Sequence, residues 1–79
     1  MQLEVVVSLK PEVLDTEGRA IQSTMHRLGF ESLESVSVSK RFILEFDEAD
    51  ELAFQKAEKL AKEHLSNPVS ETYLVRKLS

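Results

Sequence analysis

Cysteine and tryptophan are missing from this 79-residue chain, and glycine, proline and tyrosine are scarce, at two, two and one. Without cysteine there is no disulfide, thiolate metal ligand, iron–sulfur cluster or thiol nucleophile. Two isolated glycines, Gly18 and Gly29, do not make a phosphate-cradling loop. No run of about 18 apolar residues is present, so no membrane span is expected. No basic stretch followed by an apolar one opens the chain, so the expectation is a cytoplasmic protein without an export signal. A basic surplus is lacking too: ten Lys and Arg stand against fourteen Asp and Glu, a net charge of −4, and this argues against nucleic-acid binding. What remains is ordinary for a small globular domain spanning residues 1–79, with 42% apolar and 30% charged residues. A domain this small removes only about 60% of its surface from water on folding, so association with itself or a partner is expected.

Residues 2–9, QLEVVVSL, alternate as a strand: Leu3, Val5, Val7 and Leu9 share one face, and Gln2, Glu4, Val6 and Ser8 the other. Pro11 ends it. A helix is predicted over 16–28, capped by Asp15 or Thr16, with Ile21, Met25 and Leu28 on its apolar stripe and Gly29 as its stop. The run SVSVSKRFILEF, residues 35–46, predicts a hairpin with Ser39, Lys40 and Arg41 as its loop and Val38 opposite Phe42. A second helix is predicted over 50–65, started by Asp47 or Asp50. Its stripe includes Ala53, Phe54, Ala57, Leu60, Ala61, His64 and Leu65, with Glu58 and Lys62 paired on the outer side. Pro68 ends it, and a last strand covers 70–78. The order β-α-β-β-α-β gives an α+β fold: a ferredoxin-like two-layer sandwich, a four-stranded antiparallel sheet with two helices on one face.

Nothing in the chain supports catalysis. His26 and His64 lie on different helices, without a carboxylate at ligand spacing. The carboxylates between Glu45 and Glu51 lack the glycine-containing spacing of a calcium loop and suit a helix entrance. No nucleophile motif occurs. KRFILEFD is faintly like the aromatic strand of an RNA-recognition motif, but its rings share the core-facing phase and the chain is acidic.

The segments LKPEVLDTEGRAI (9–21), LGF (28–30), VSVSKRFILEF (36–46) and NPV (67–69) together resemble the PurS family along the whole chain. These are the small subunits of phosphoribosylformylglycinamidine (FGAM) synthase in purine biosynthesis. Lys10, Pro11, Val13, Asp15, Gly18, Ala20 and Ile21 carry most of the likeness. The family commonly has proline where this chain has Thr16, and glycine where it has Ser39. The resemblance implies a chain that is non-catalytic by itself and part of a ligase. It implies a homodimer that joins a glutaminase subunit to an ATP-dependent amidating large subunit, with the ATP, Mg²⁺ and glutamine sites on those partners and no cofactor in this chain. The alternative is an amino-acid-binding regulatory domain of ACT type; such domains usually place a glycine-containing turn at the first strand–helix junction, whereas here Gly18 is a single glycine already inside the first turn of the helix.

Association is expected on the residues as well. Val6 and Ile43 project from the sheet face opposite the helices, joined by either Leu74 or Tyr73 and Val75, since the phase of the last strand is open. The segment from Lys10 to Asp15, including Glu12, has two readings: a recognition loop for a partner, or a plug in which Val13 and Leu14 close the core while Asp15 caps the helix. The candidate interface residues are therefore Val6, Lys10, Glu12, Asp15, Ile43 and Tyr73, through either the sheet face or an edge strand.

Overall fold

Alternation over residues 2–9, broken only at Val6, produces the strand on which everything else is built. In the computed structural model, which describes residues 1–78, β1 spans Gln2–Leu9, α1 Thr16–Arg27, β2 Ser39–Glu45, α2 Asp50–Leu60 and β3 Glu71–Lys77. The sheet order is β2-β1-β3, and both pairings are antiparallel. Leu3, Val5 and Val7 point to one side and are fully buried, each contributing roughly 1.5–3 kcal/mol. Against them lie Ala53, Ala57 and Ala61, also fully buried. Four-residue spacing keeps these alanines on one helical face, and their lack of side chain beyond Cβ lets α2 lie close on β1. Ala49, not Asp47 or Asp50, is the N-cap of α2 and offers no side-chain bond. Asp50 sits in the first turn instead, and Lys77 at the end of β3 reaches it at 2.7 Å. The helix finishes in a π-helical turn, Ala61–Leu65, closed by the amide and hydroxyl of Ser66 on the Ala61 carbonyl. This wider turn carries His64 out to solvent, away from the apolar stripe on which the sequence pattern puts it.

The expected hairpin over 35–46 does not form. Ser39, Lys40 and Arg41 are not a loop but the first residues of β2, paired with Ser8, Val7 and Val6. Ser39 has no positive φ, so no glycine is needed there. Among the described residues the sheet has three strands, and the outer edge of β2 is unpaired.

α1 is the second departure. It has a sound cap at Asp15 and a Schellman stop, in which Gly29 (φ 103°) and Phe30 donate to the carbonyls of His26 and Met25. Yet it does not pack on the sheet: the packed elements are the three strands, α2 and its π turn. Gly18 is the only buried residue of α1. Residues 30–38 run back along this helix, with Gln22 donating to the Glu34 carbonyl and His26 to the Leu33 carbonyl. The two form an arm that lengthens the chain to 49 × 27 × 13 Å. The radius of gyration is 16.0 Å, against about 12 Å for a compact chain of this length.

Candidate functional site

Three surfaces built by this fold are suited to contacts. The first is the base of the arm. Asp15 Oδ1 accepts the Gly18 amide and Oδ2 the Val38 amide, both at 2.8 Å. One carboxylate therefore caps α1 and fastens it to the segment leading into β2. These two amides hold Asp15 below the ordinary carboxylate range. Gly18 is required because the helix approaches so closely that a Cβ there would stand 2.1 Å from the Val36 carbonyl oxygen. Upstream, the Lys10 amide donates to the Ser70 carbonyl at 2.9 Å and the Lys10 carbonyl accepts from Val13, so the turn is tied to the start of β3. Pro11 and Glu12 are exposed. Val13 is half-buried, whereas Leu14 is 57% exposed and does not plug the core.

The second surface is the half-covered inner face of β2, whose side chains pack on the core beneath α2. α2 and its π turn pack on β1 and β3. Phe42, Leu44 and Phe46 remain half-buried, beside the unpaired edge of β2. The arm meanwhile exposes Ile21, Leu28 and Phe30, with Leu14 exposed just ahead of it.

The third surface is the open face of the sheet. The pairing sets Leu74 opposite Val6, with Ile43 opposite Glu4, so Val6, Ile43 and Leu74 lie together. Tyr73 is set apart from them: it faces α2, where its hydroxyl donates to Glu58 Oε2 at 3.0 Å, and that bond raises its pKa. Glu58 thus takes a partner from β3, not Lys62. At the centre of the open face stands Glu4, only 3% exposed. Arg76 binds it through Nε (3.0 Å) and Nη2, and Arg41 through Nε. Arg76 first and Arg41 second hold its carboxyl below the usual range. The sequence reading missed this cluster. Its one signal was opposite charge on neighbouring strands, and it needed the register to be legible. Among the described residues no group of three or more His, Asp or Glu side chains is arranged to hold a metal ion, and no helix is long and apolar enough to cross a membrane.

The sequence matches the profile of the PurS family, phosphoribosylformylglycinamidine (FGAM) synthase, over residues 2–79. The chain belongs to the PurS family. PurS of Methanocaldococcus jannaschii is 34% identical over 73 residues, covering 91% of this chain and 88% of that protein. The crystal structure of M. jannaschii PurS, one of the subunits of formylglycinamide ribonucleotide amidotransferase in the purine biosynthetic pathway, superposes with a TM-score of 0.85 at 32% identity, covering 99% and 98% of the two chains. A chain in the structure of PurLQS from Thermotoga maritima superposes with a TM-score of 0.77 at 26% identity, over 98% and 95%. This PurS chain is a subunit of FGAM synthase in purine biosynthesis. The ACT-type alternative has no support from these likenesses, and Gly18 is packed against backbone with no room for a ligand turn.

Proposed function

We propose that this chain is the non-catalytic joining subunit of FGAM synthase and that it works as a homodimer. The observation that carries the dimer is the detached arm. The chain encodes a second helix and a further extended segment, yet neither covers its own sheet; the inner face of β2 is only half covered and its outer edge is unpaired. A second copy would supply both. Its α1 would lie over Phe42, Leu44 and Phe46, and its residues 36–38 would line the edge of β2. Each half would then be the four-stranded, two-helix ferredoxin-like sandwich, completed between chains. The accessible surface supports this: 5811 Å² exceeds the about 4,900 Å² of a compact 9.0 kDa monomer by roughly 1,000 Å², the order that one partner gives to a stable interface. The superposition on M. jannaschii PurS covers 99% of the chain and so includes the arm.

In this role the dimer holds the glutaminase subunit against the ATP-dependent amidating large subunit, so that ammonia from glutamine reaches formylglycinamide ribonucleotide. ATP, Mg²⁺ and glutamine would bind those partners, and the setting is the cytoplasm. Likeness to a chain of Thermotoga PurLQS supports the joining role. The turn from Lys10 to Asp15, whose Pro11 and Glu12 are exposed beside the arm's base, is a second contact proposed for a synthase subunit. The test is reconstitution with a cognate large subunit and glutaminase. Glutamine-driven FGAM formation is expected to need this chain, while ammonium-driven formation is not. Equal rates with and without the chain would refute the role. Lys10→Ala with Glu12→Ala is expected to weaken assembly without changing the unfolding midpoint, and unchanged assembly would remove the turn from the interface.

A further inference from the structure

We propose that the open face of the sheet, around Glu4, Arg41 and Arg76, docks a segment of another synthase subunit that presents a carboxylate among apolar side chains. This rests on the joining role and names the chemistry of one of its contacts. The arm exchange uses the inner face and edge of β2 and leaves the open face uncovered. That face is apolar at Val6, Ile43 (45% exposed) and Leu74 (53% exposed). In its centre two guanidinium groups serve one buried carboxylate, so the cluster keeps a surplus positive charge inside a chain of net charge −4. The other carboxylate on this face, Glu45, stands at its end, opposite Gln2.

The arginines are preorganised. Glu4 accepts Nε of Arg41 and both Nε and Nη2 of Arg76, which fixes both planar groups over the sheet. The remaining guanidinium N–H groups have no bonded partner among the described residues, and the two side chains are 56% and 61% exposed. A fixed guanidinium loses little freedom when it accepts a second carboxylate, and the apolar rim lowers the local dielectric around that contact. Charge also selects the occupant. A second copy packed on the same face about a two-fold axis would bring two clusters of surplus positive charge together, whereas an acidic segment complements them.

The experiment is equilibrium binding of the wild-type dimer and four variants to the cognate large subunit and glutaminase, separately and together. Leu74→Glu and Ile43→Glu put a competing carboxylate beside the arginines, and Leu74→Lys and Ile43→Lys are the size-matched controls. Both positions are exposed, and unfolding midpoint and dimer mass are measured alongside. Both Glu variants are expected to weaken binding by about tenfold or more, the Lys variants by less than about threefold, and added salt is expected to weaken the wild type. Wild-type affinity in both Glu variants overturns the proposal. So does equal loss in the Glu and Lys variants, which would make the face an apolar contact without acid recognition. If the wild-type dimer binds neither subunit, the joining role itself falls and the docking proposal falls with it.

Discussion

Replacing Gly18 with alanine sets two effects of opposite sign against each other. In a helix, alanine is favoured over glycine by about 1 kcal/mol. Here the added Cβ would lie 2.1 Å from the Val36 carbonyl oxygen, whereas carbon and oxygen ordinarily approach to about 3.3 Å, so α1 and residues 36–38 must part by about 1.2 Å. The obstructing atom is backbone, and no side-chain rotation removes it. Forcing such a contact costs about 1–3 kcal/mol. Asp15 also cannot keep both of its 2.8 Å bonds across the widened gap. The clash and the lost bonding outweigh propensity, giving a net destabilisation of about 1–2 kcal/mol. In a domain of this size the melting temperature should fall by about 5–10 °C. In the proposed dimer the pinned arm is the exchanged element, so dimer dissociation measured by sedimentation equilibrium should become about tenfold easier, with amides of α1 losing exchange protection before those of the sheet. A Gly18→Ala chain that melts higher and dimerises as before would refute both the close approach and the role of the pin.

Other perturbations give equally definite outcomes. Ala57→Leu inserts bulk where α2 meets β1 and should lower stability by about 2–3 kcal/mol, read as a lower urea midpoint. Leu3→Ala leaves a cavity at the centre of the sheet and should cost about 3 kcal/mol, again by urea titration. Glu4, Asp15 and Asp50 are all held below their usual range in the fold, so what they contribute is complete above the unfolded values of about 4 and lost as pH falls through the folded ones. The melting temperature should therefore be flat near neutrality and drop below about pH 4. Tyr73 has its pKa raised, so its contribution is complete below about pH 10 and lost above it; Tyr73→Phe should remove that part of the alkaline loss.

The two elements that carry the core, β1 and α2, were legible from local pattern: β1 sets Leu3, Val5 and Val7 on one face, and α2 repeats alanine every four residues before Pro68 bounds it. The phase of β3 needed its register. The hairpin was misread for a specific reason. Val36, Val38, Phe42, Leu44 and Phe46 share one face whether residues 39–41 form a three-residue loop or continue a straight strand, because both preserve the parity of two. The deciding signal was turn chemistry. Ser39, Lys40 and Arg41 include no glycine, asparagine or aspartate, so extended pairing with β1 was the easier course. The apolar stripe on α1 was read from its period, yet Ile21 and Leu28 are exposed and the helix stays off the sheet, which no local pattern decides. His64 escaped its expected stripe because a π turn shifts phase, which periodicity of 3.6 does not anticipate. Of the surfaces, Val6 and Ile43 were found and Asp15 was recognised as a cap. Its second bond to Val38, and the Glu4 cluster, depend on contacts between distant segments.

β1 stands far in sequence from both of its neighbours. β2 begins at Ser39 and β3 only at Glu71. A growing or refolding chain therefore carries the apolar segment Leu3 to Val7 with both hydrogen-bonding edges unoccupied until β2 is made, and with one still open until β3 follows. In that interval the one charge within LEVVV is Glu4. The carboxylate that later ties three strands together is thus also the group that discourages the same segment from sticking to other nascent chains. A Glu4→Gln chain should consequently form aggregates during refolding at concentrations where the natural sequence stays clear.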